Sequence, residues 1–590
     1  MKRSEVQNEY KWDLSDLYPD NAEWEREFSA LNKEIVAVLR FKGRLAAPEN
    51  LLQCLSLCDS LGERFERLYC YAMFMRDSDA LDETAQSYSA RAEKLISEFN
   101  SLSAFISPEL SALDESEIDK FIKSPDFAPY DYMLSNILRG KKHILSAAEE
   151  RILAMGSPTH GAFSHIFSAI SDVDLPFPTL NIDGKKQRMT HGRYSLWLQH
   201  PDAAVRKKAF SGMYGAVGAL INTIAANFSA SVQKDNYLAA VRGYPSALDK
   251  ALFTNDVPPV VFDKLVSKAG DNVSTLHDYI ALRKKVLGVP SLHMYDLYVP
   301  MFADADISRD YGDAYALVLD GLKPLGPEYI SLLKTAKASR WIDVCETENK
   351  RSGAYSCGVY GAHPYVLLNY TKTAHDIFTI AHELGHAMHS HYSSRVQPYA
   401  KNDYSIFVAE VASTVNEVLL LKHLAATSAD PAVKKYLLSY YLDMFRTTLF
   451  RQTMFAEFER TVHESEAAGE PLTVESVSKA YMRLNKKYYG AAVAHDRRIR
   501  LEWARIPHFY RAFYVYQYAT GLTAAVNIAN SVLTGGAGAA AKYKEFLSAG
   551  GKKSPYEILK DCGVDLAADE PYDIAFGEFT DTLAKLERLI

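Results

Sequence analysis

Residues 371–391, TKTAHDIFTIAHELGHAMHSH, constrain this chain more than any other stretch. Thr373 and Asp376 have the spacing of a capping box, just before the apolar run Ile377, Phe378 and Ile380. Ala381, Leu384, Ala387 and Met388 continue an apolar face. The pattern predicts a helix, and the helix carries His382, Glu383 and His386 in the order H-E-x-x-H. Residues four apart share a helix face about one turn apart, so the two imidazoles can meet one metal ion. Glu383 falls about 100° round from His382, where it serves a metal-associated water as general base and not as a ligand.

A catalytic zinc usually takes three protein ligands plus water, so two histidines are not enough. His389 points the same way as His382 but lies about 10 Å along the axis, too far for bonds near 2 Å to a shared ion. His391 points elsewhere, and Tyr392 stands where a metzincin's third histidine would be. A carboxylate from a following helix is the better choice, and FVAEVASTVNEVLLLKHL offers Glu410 and Glu417. Glu410, among the small apolar Ala409, Val411 and Ala412, is favoured as the third ligand to one Zn2+ ion. Glu417, seven on, is placed to hold a ligand histidine from behind.

The rest of the chain supplies the body. At 590 residues it exceeds one ordinary core, so two or more lobes are expected. Hydrophobic content of 48% and charged content of 24% are those of a soluble globular protein. A net charge of −7 without a long basic run argues against nucleic acid as the main partner. The start shows no apolar signal segment, and residues 216–232, the most apolar stretch, are broken by Asn222 and Asn227. No membrane partner and a cytoplasmic location are therefore expected. The six cysteines have no C-x-x-C spacing and read as free buried thiols.

WDLSDLYP at residues 12–19 reads as an opening segment with turns, and 21–39 as an amphipathic helix. Helix follows helix from residue 50 to about 153, with polar breaks near Asp77–Ser78 and Asp114–Glu115. Residues 177–189 predict a hairpin turning at Asp183–Gly184, and helices resume at Tyr194. These features divide the chain into an N-terminal helical lobe, 1–195, and a catalytic domain, 196–590. Residues 341–370, rich in Gly, Tyr and Val, predict two short strands just before the metal helix. An edge strand there is expected to pair with an extended peptide through main-chain hydrogen bonds.

HFYRAFYVYQYATG, residues 508–521, is unusually aromatic. If it is helical, Tyr510, Tyr514 and Tyr518 form one stripe. Such stripes are more often core than catalytic, yet a phenol aimed at the oxyanion of amide hydrolysis contributes about 3–4 kcal/mol.

HELGHAMH, AEVASTVNE, WDLSDLY, RIPHFYRAFYVYQYATG and FLSAGGKKSPYEILKDCGVDL together resemble the oligoendopeptidase F branch of the thimet-oligopeptidase family of zinc metallopeptidases. The resemblance spans most of the chain. It implies a mostly α, two-lobed multi-helical body, with a small β element next to the zinc helix and the active site in a deep channel. It implies zinc held by His382, His386 and Glu410, with Glu383 as base and internal cleavage of short oligopeptides. His508 matches the family's oxyanion histidine and Tyr514 is its chosen tyrosine partner, with Tyr510 and Tyr518 in reserve. The alternatives are a related helical zinc carboxypeptidase or a non-catalytic peptide-binding relative. The oligomeric state stays open, with a monomer favoured.

Overall fold

The computed structural model describes residues 1–302 and 307–590. It is mostly helical, with three small sheets among the described residues. The chain forms two compact units, each assembled from three segments. The first comprises Met1–Ile144, Asp306–Leu424 and Ile528–Val564, and the second Leu145–Ala305, Ala425–Asn527 and Asp565–Ile590. The sequence reading cuts the chain once, at 195/196.

In the first unit, helices Pro48–Ser78 and Glu83–Ser103 lie against each other, separated where Asp82 caps the second by accepting from the Ala85 N–H at 3.0 Å. Fully buried Trp24 stacks on Tyr88 at 3.8 Å and donates its indole N–H to the Leu68 carbonyl at 2.9 Å. The helix predicted over 21–39 is α only for Asn21–Glu34 and tightens to a 3-10 helix at Ile35–Phe41. Ile35, Val36 and Val38 are β-branched there, and such side chains crowd an α-helical turn. The opening WDLSDLY segment is part of this core. Trp12 packs 5.0 Å from Phe74 and 6.2 Å from Tyr365, and its N–H reaches the Ser78 hydroxyl at 3.1 Å.

Residues 341–370 form three strands where two are expected. The centre is Tyr365–Tyr370; Ile342–Cys345 runs parallel on one side and Tyr355–Cys357 antiparallel on the other. The extra strand pairs 24 or 25 residues ahead in sequence, a partner that local alternation does not reveal. Lys350, its side chain wholly buried, joins the sheet to its flanking loop: its Nζ binds Asp343 Oδ1 at 2.7 Å and donates to the Cys345 and Leu368 carbonyls at 2.7 and 2.5 Å. Arg3 closes the far side of Asp343 with two hydrogen bonds, 3.1 and 2.6 Å.

In the second unit, Thr179–Ile182 and Lys185–Arg188 form the expected hairpin, with Asp183 and Gly184 at φ 50° and 77°. Two left-handed residues in succession give the turn whose twist matches the strands. Helices resume at His191–Leu198. The long helices Ile221–Val241, Arg451–Ala467 and Val474–Tyr489 surround an aromatic core that includes Phe228, Phe458 and Trp503. Among the described residues, no single helix is long and apolar enough to cross a membrane. All six cysteines are free; Cys54 and Cys70 are buried as expected, while the other four are partly exposed.

Candidate metal centre

The H-E-x-x-H helix runs Ala374–Val396. Its capping box forms as predicted: Thr373 Oγ1 accepts from the Asp376 N–H at 3.2 Å, and Asp376 accepts from the Thr373 N–H at 2.9 Å. Ile377, Phe378, Ile380, Ala381, Leu384, Ala387 and Met388 are buried, which fixes the helix's rotation and turns the histidines to its other side.

The helix Ile406–Thr427 crosses it closely. A Cβ on Gly385 would sit 2.5 Å from Ser413 Cα and 2.6 Å from the Ala412 carbonyl, so only glycine permits this approach. Asn416 donates to the Ala381 carbonyl at 3.0 Å and accepts from the Tyr329 hydroxyl at 3.0 Å, pinning the crossing. The crossing brings Glu410 Oε2 to 3.5 Å from both His382 Nε2 and His386 Nε2, which are 3.2 Å apart.

These separations suit one ion. A tetrahedral zinc with bonds near 2.05 Å separates its ligand atoms by about 3.3 Å. His382, His386 and Glu410 are the only such group of three among the described residues, with ligand atoms within 4.8 Å of one another. Glu417 Oε1 lies 2.6 Å from His382 Nδ1, so Nδ1–H donates there and Nε2 faces His386 and Glu410. Ser413 Oγ donates to Glu410 Oε2 at 3.2 Å and orients that carboxylate. The site also attracts positive charge: burial opposes protonation of His382, yet Glu417, Glu383 and Glu410 outweigh it and raise its pKa to about 9. Burial likewise pushes Glu410 up, but His386 and His382 prevail and hold it at about 2.

Glu383 is 7% exposed and its carboxyl is raised by that burial. It lines a cavity of about 580 Å³ with His382, Glu417, His375, Phe378, Leu368 and Tyr370. Gly353 and Ala354, just ahead of the edge strand Tyr355–Cys357, line it too. His389 lies outside the cluster, stacked at 3.6 Å on Tyr404, where burial pushes it down to about 3. His391 faces Trp341, and Tyr392 faces Tyr329.

The aromatic segment belongs to the second unit. His508 Nε2 is 3.5 Å from the Tyr518 hydroxyl, and its ring lies 5.8 Å from Tyr514, nearly parallel. Tyr510 instead packs on Phe167 at 4.6 Å. The helical stripe is corrected here: Pro507–Tyr510 is a 3-10 turn, and the helix carrying Tyr518 starts only at Tyr516. Between them Phe513 adopts φ 54°, uncommon for a bulky residue, with its N–H donating to buried Glu459 Oε1 at 3.0 Å. That turn separates Tyr510 from the other two. Gly385, Ser413, Asn416 and Glu459 carry positioning roles that sequence reasoning missed. Only the small residues of H-E-L-G-H and A-E-V-A-S-T hinted at a close helix crossing.

Two histidines and a glutamate on crossed helices, with a buried glutamate beside them, define a metal-dependent hydrolase of the H-E-x-x-H class. The comparisons then place it. Residues 196–578 match peptidase family M3, and 109–177 match the Oligopeptidase F family. Oligopeptidase PepF of Bacillus subtilis (strain 168) is 41% identical over 591 residues, covering 100% of this chain and 88% of the relative. An oligoendopeptidase F homolog of Lactococcus lactis subsp. lactis is 38% identical over 592 residues, covering 100% and 98%. The crystal structure of oligoendopeptidase-F from Enterococcus faecium superposes with a TM-score of 0.75 at 33% identity, covering 96% of this chain and 99% of that one. The chain belongs to peptidase family M3, in its oligoendopeptidase F group, and is a metalloendopeptidase acting on peptides.

Proposed function

We propose that the protein is a zinc-dependent endopeptidase of short oligopeptides, with His382, His386 and Glu410 holding one Zn2+ ion. The observation that carries this reading is the matched 3.2–3.5 Å spacing of the three ligand atoms. When bound, the ion supplies the Lewis acid that acidifies a water and polarises the scissile carbonyl.

The chain's own residues do the rest. Glu417 fixes His382 in the tautomer with a free Nε2. Glu383 takes the proton of the attacking water and returns it to the leaving nitrogen; burial raises its carboxyl toward the range where both transfers are easy. His508 and Tyr514 are proposed as donors to the oxyanion, supported by the family resemblance and by their pairing within one aromatic cluster. The substrate backbone is proposed to add beside Gly353 and Ala354, which line the cavity next to Glu383 and lead into an edge strand. All these groups fall within 196–590, the proposed catalytic part of the chain. A cytoplasmic monomer without nucleic-acid or membrane partners completes the proposal.

The test is cleavage of a mixed set of internally quenched short peptides, with and without chelator, with products weighed. Internal cuts abolished by chelator and restored by zinc are expected. Loss of single C-terminal residues would replace the reading with a carboxypeptidase, and binding without cleavage would replace it with a peptide-binding protein.

A further inference from the structure

Cys70 and Cys357 stand apart from the chemistry described so far. Cys70 lies on the helix Pro48–Ser78 and Cys357 ends the edge strand Tyr355–Cys357. They are 287 residues apart in sequence, yet their sulfurs are 3.9 Å apart. Both line one cavity of about 600 Å³, so a small oxidant can reach them. Cys70 is buried and Cys357 partly exposed. The contact with Cys357, together with burial, holds the Cys70 thiol well above its ordinary pKa.

We propose that Cys70 and Cys357 form a thiol modification site, which a hydroperoxide converts to a disulfide that lowers peptidase activity. The hydroperoxide oxidises the more exposed Cys357 thiol to a sulfenic acid, its O–O bond breaking and an alcohol or water leaving. Cys70 sulfur then attacks Cys357 sulfur. The S–O bond breaks, and the oxygen leaves as water with the Cys70 proton. Two thiols are oxidised and one peroxide is reduced.

The contacts around Cys357 connect closure of the pair to the candidate metal centre. A disulfide is about 2.05 Å long, so the sulfurs must approach by roughly 2 Å. The residue after Cys357 is Gly358, where an added Cβ would meet Ser390 Cβ at 2.6 Å. Ser390 lies on the H-E-x-x-H helix, one turn beyond His386. Gly353 and Ala354, upstream of the same strand, line the cavity containing Glu383. Pulling the strand toward Cys70 therefore displaces the wall of that cavity and alters the strand's contact with the H-E-x-x-H helix. The cross-link stands on its own geometry; its effect on turnover rests on the reading that this helix carries the metal ligands.

The experiment treats the metal-loaded enzyme with hydrogen peroxide, removes the excess, maps disulfides by mass spectrometry and assays a quenched peptide before and after a dithiol reductant. The expected result is a Cys70–Cys357 linked peptide, with kcat/KM reduced roughly tenfold or more and recovered on reduction. Cys70→Ala is expected to match the untreated enzyme and to keep its activity through peroxide. Absence of the linked peptide, or a link between other cysteines in its place, would overturn the site. A complete Cys70–Cys357 link with unchanged kcat/KM would overturn its effect on activity, as would equal loss in Cys70→Ala.

Discussion

At the candidate metal centre, the helix repeat does most of the positioning. His382 and His386 meet because they are four residues apart, and Glu410 arrives because Gly385 lets a second helix pass within contact of the first. Around His508 nothing is repeated. A 3-10 turn, one left-handed phenylalanine and a helix start decide that Tyr514 and Tyr518 surround His508 while Tyr510 packs on Phe167. The first arrangement is rigid by periodicity. The second depends on Glu459, a buried carboxyl that accepts the Phe513 N–H and that burial pushes well above its usual range. Two groups proposed to serve one reaction are thus held by different physics, and substitution should reveal the difference.

Glu383→Gln should give the largest effect. Turnover is expected to fall by about 10²- to 10⁴-fold with metal content unchanged, because only proton transfer is removed; kinetics beside elemental analysis checks it. Tyr514→Phe should come next, with kcat reduced by about 10²- to 10³-fold, whereas Tyr510→Phe stays near wild type. Equal effects at the two positions would break the distinction drawn between them. Glu417→Ala should weaken metal binding by about 10- to 100-fold, read by titration against a chelator, since His382 loses the partner that sets its tautomer.

Glu459 offers a finer test. Glu459→Gln keeps a neutral acceptor and should keep activity; Glu459→Ala frees the Phe513 turn and should lower kcat by roughly tenfold without changing the metal. The smallest effect on turnover is expected at Asp343, on the strand Ile342–Cys345 of the sheet beside the H-E-x-x-H helix. Burial pushes its carboxyl up, but Arg3 and Lys350 outweigh this and hold it below its ordinary value. A folded-state pKa below the unfolded one contributes stability above about pH 4 and loses it as pH falls through the folded value. Acid unfolding of the wild type should therefore steepen below about pH 4, while Asp343→Asn is less stable at neutral pH and flatter in acid.

The sequence made the metal helix legible because its signals are local: a capping box, an apolar face and three chemical groups within five residues. Glu410 and Glu417 were legible one step less directly, as carboxylates on the next helix that share a face. The hairpin at Asp183–Gly184 was legible because two left-handed residues require such a pair. The break in the aromatic segment was hidden because Phe513 turns left-handed for a hydrogen bond to a residue 54 positions earlier. The third strand was hidden for the same reason, since its pairing partner is distant in sequence.

The measurement that bears most directly on the central claim is zinc content per chain in the wild type, Glu383→Gln and Glu410→Ala. The account predicts one ion in each of the first two and none in the third. Zinc retained by Glu410→Ala and lost from Glu417→Ala would move the third ligand to Glu417 and contradict the centre described here.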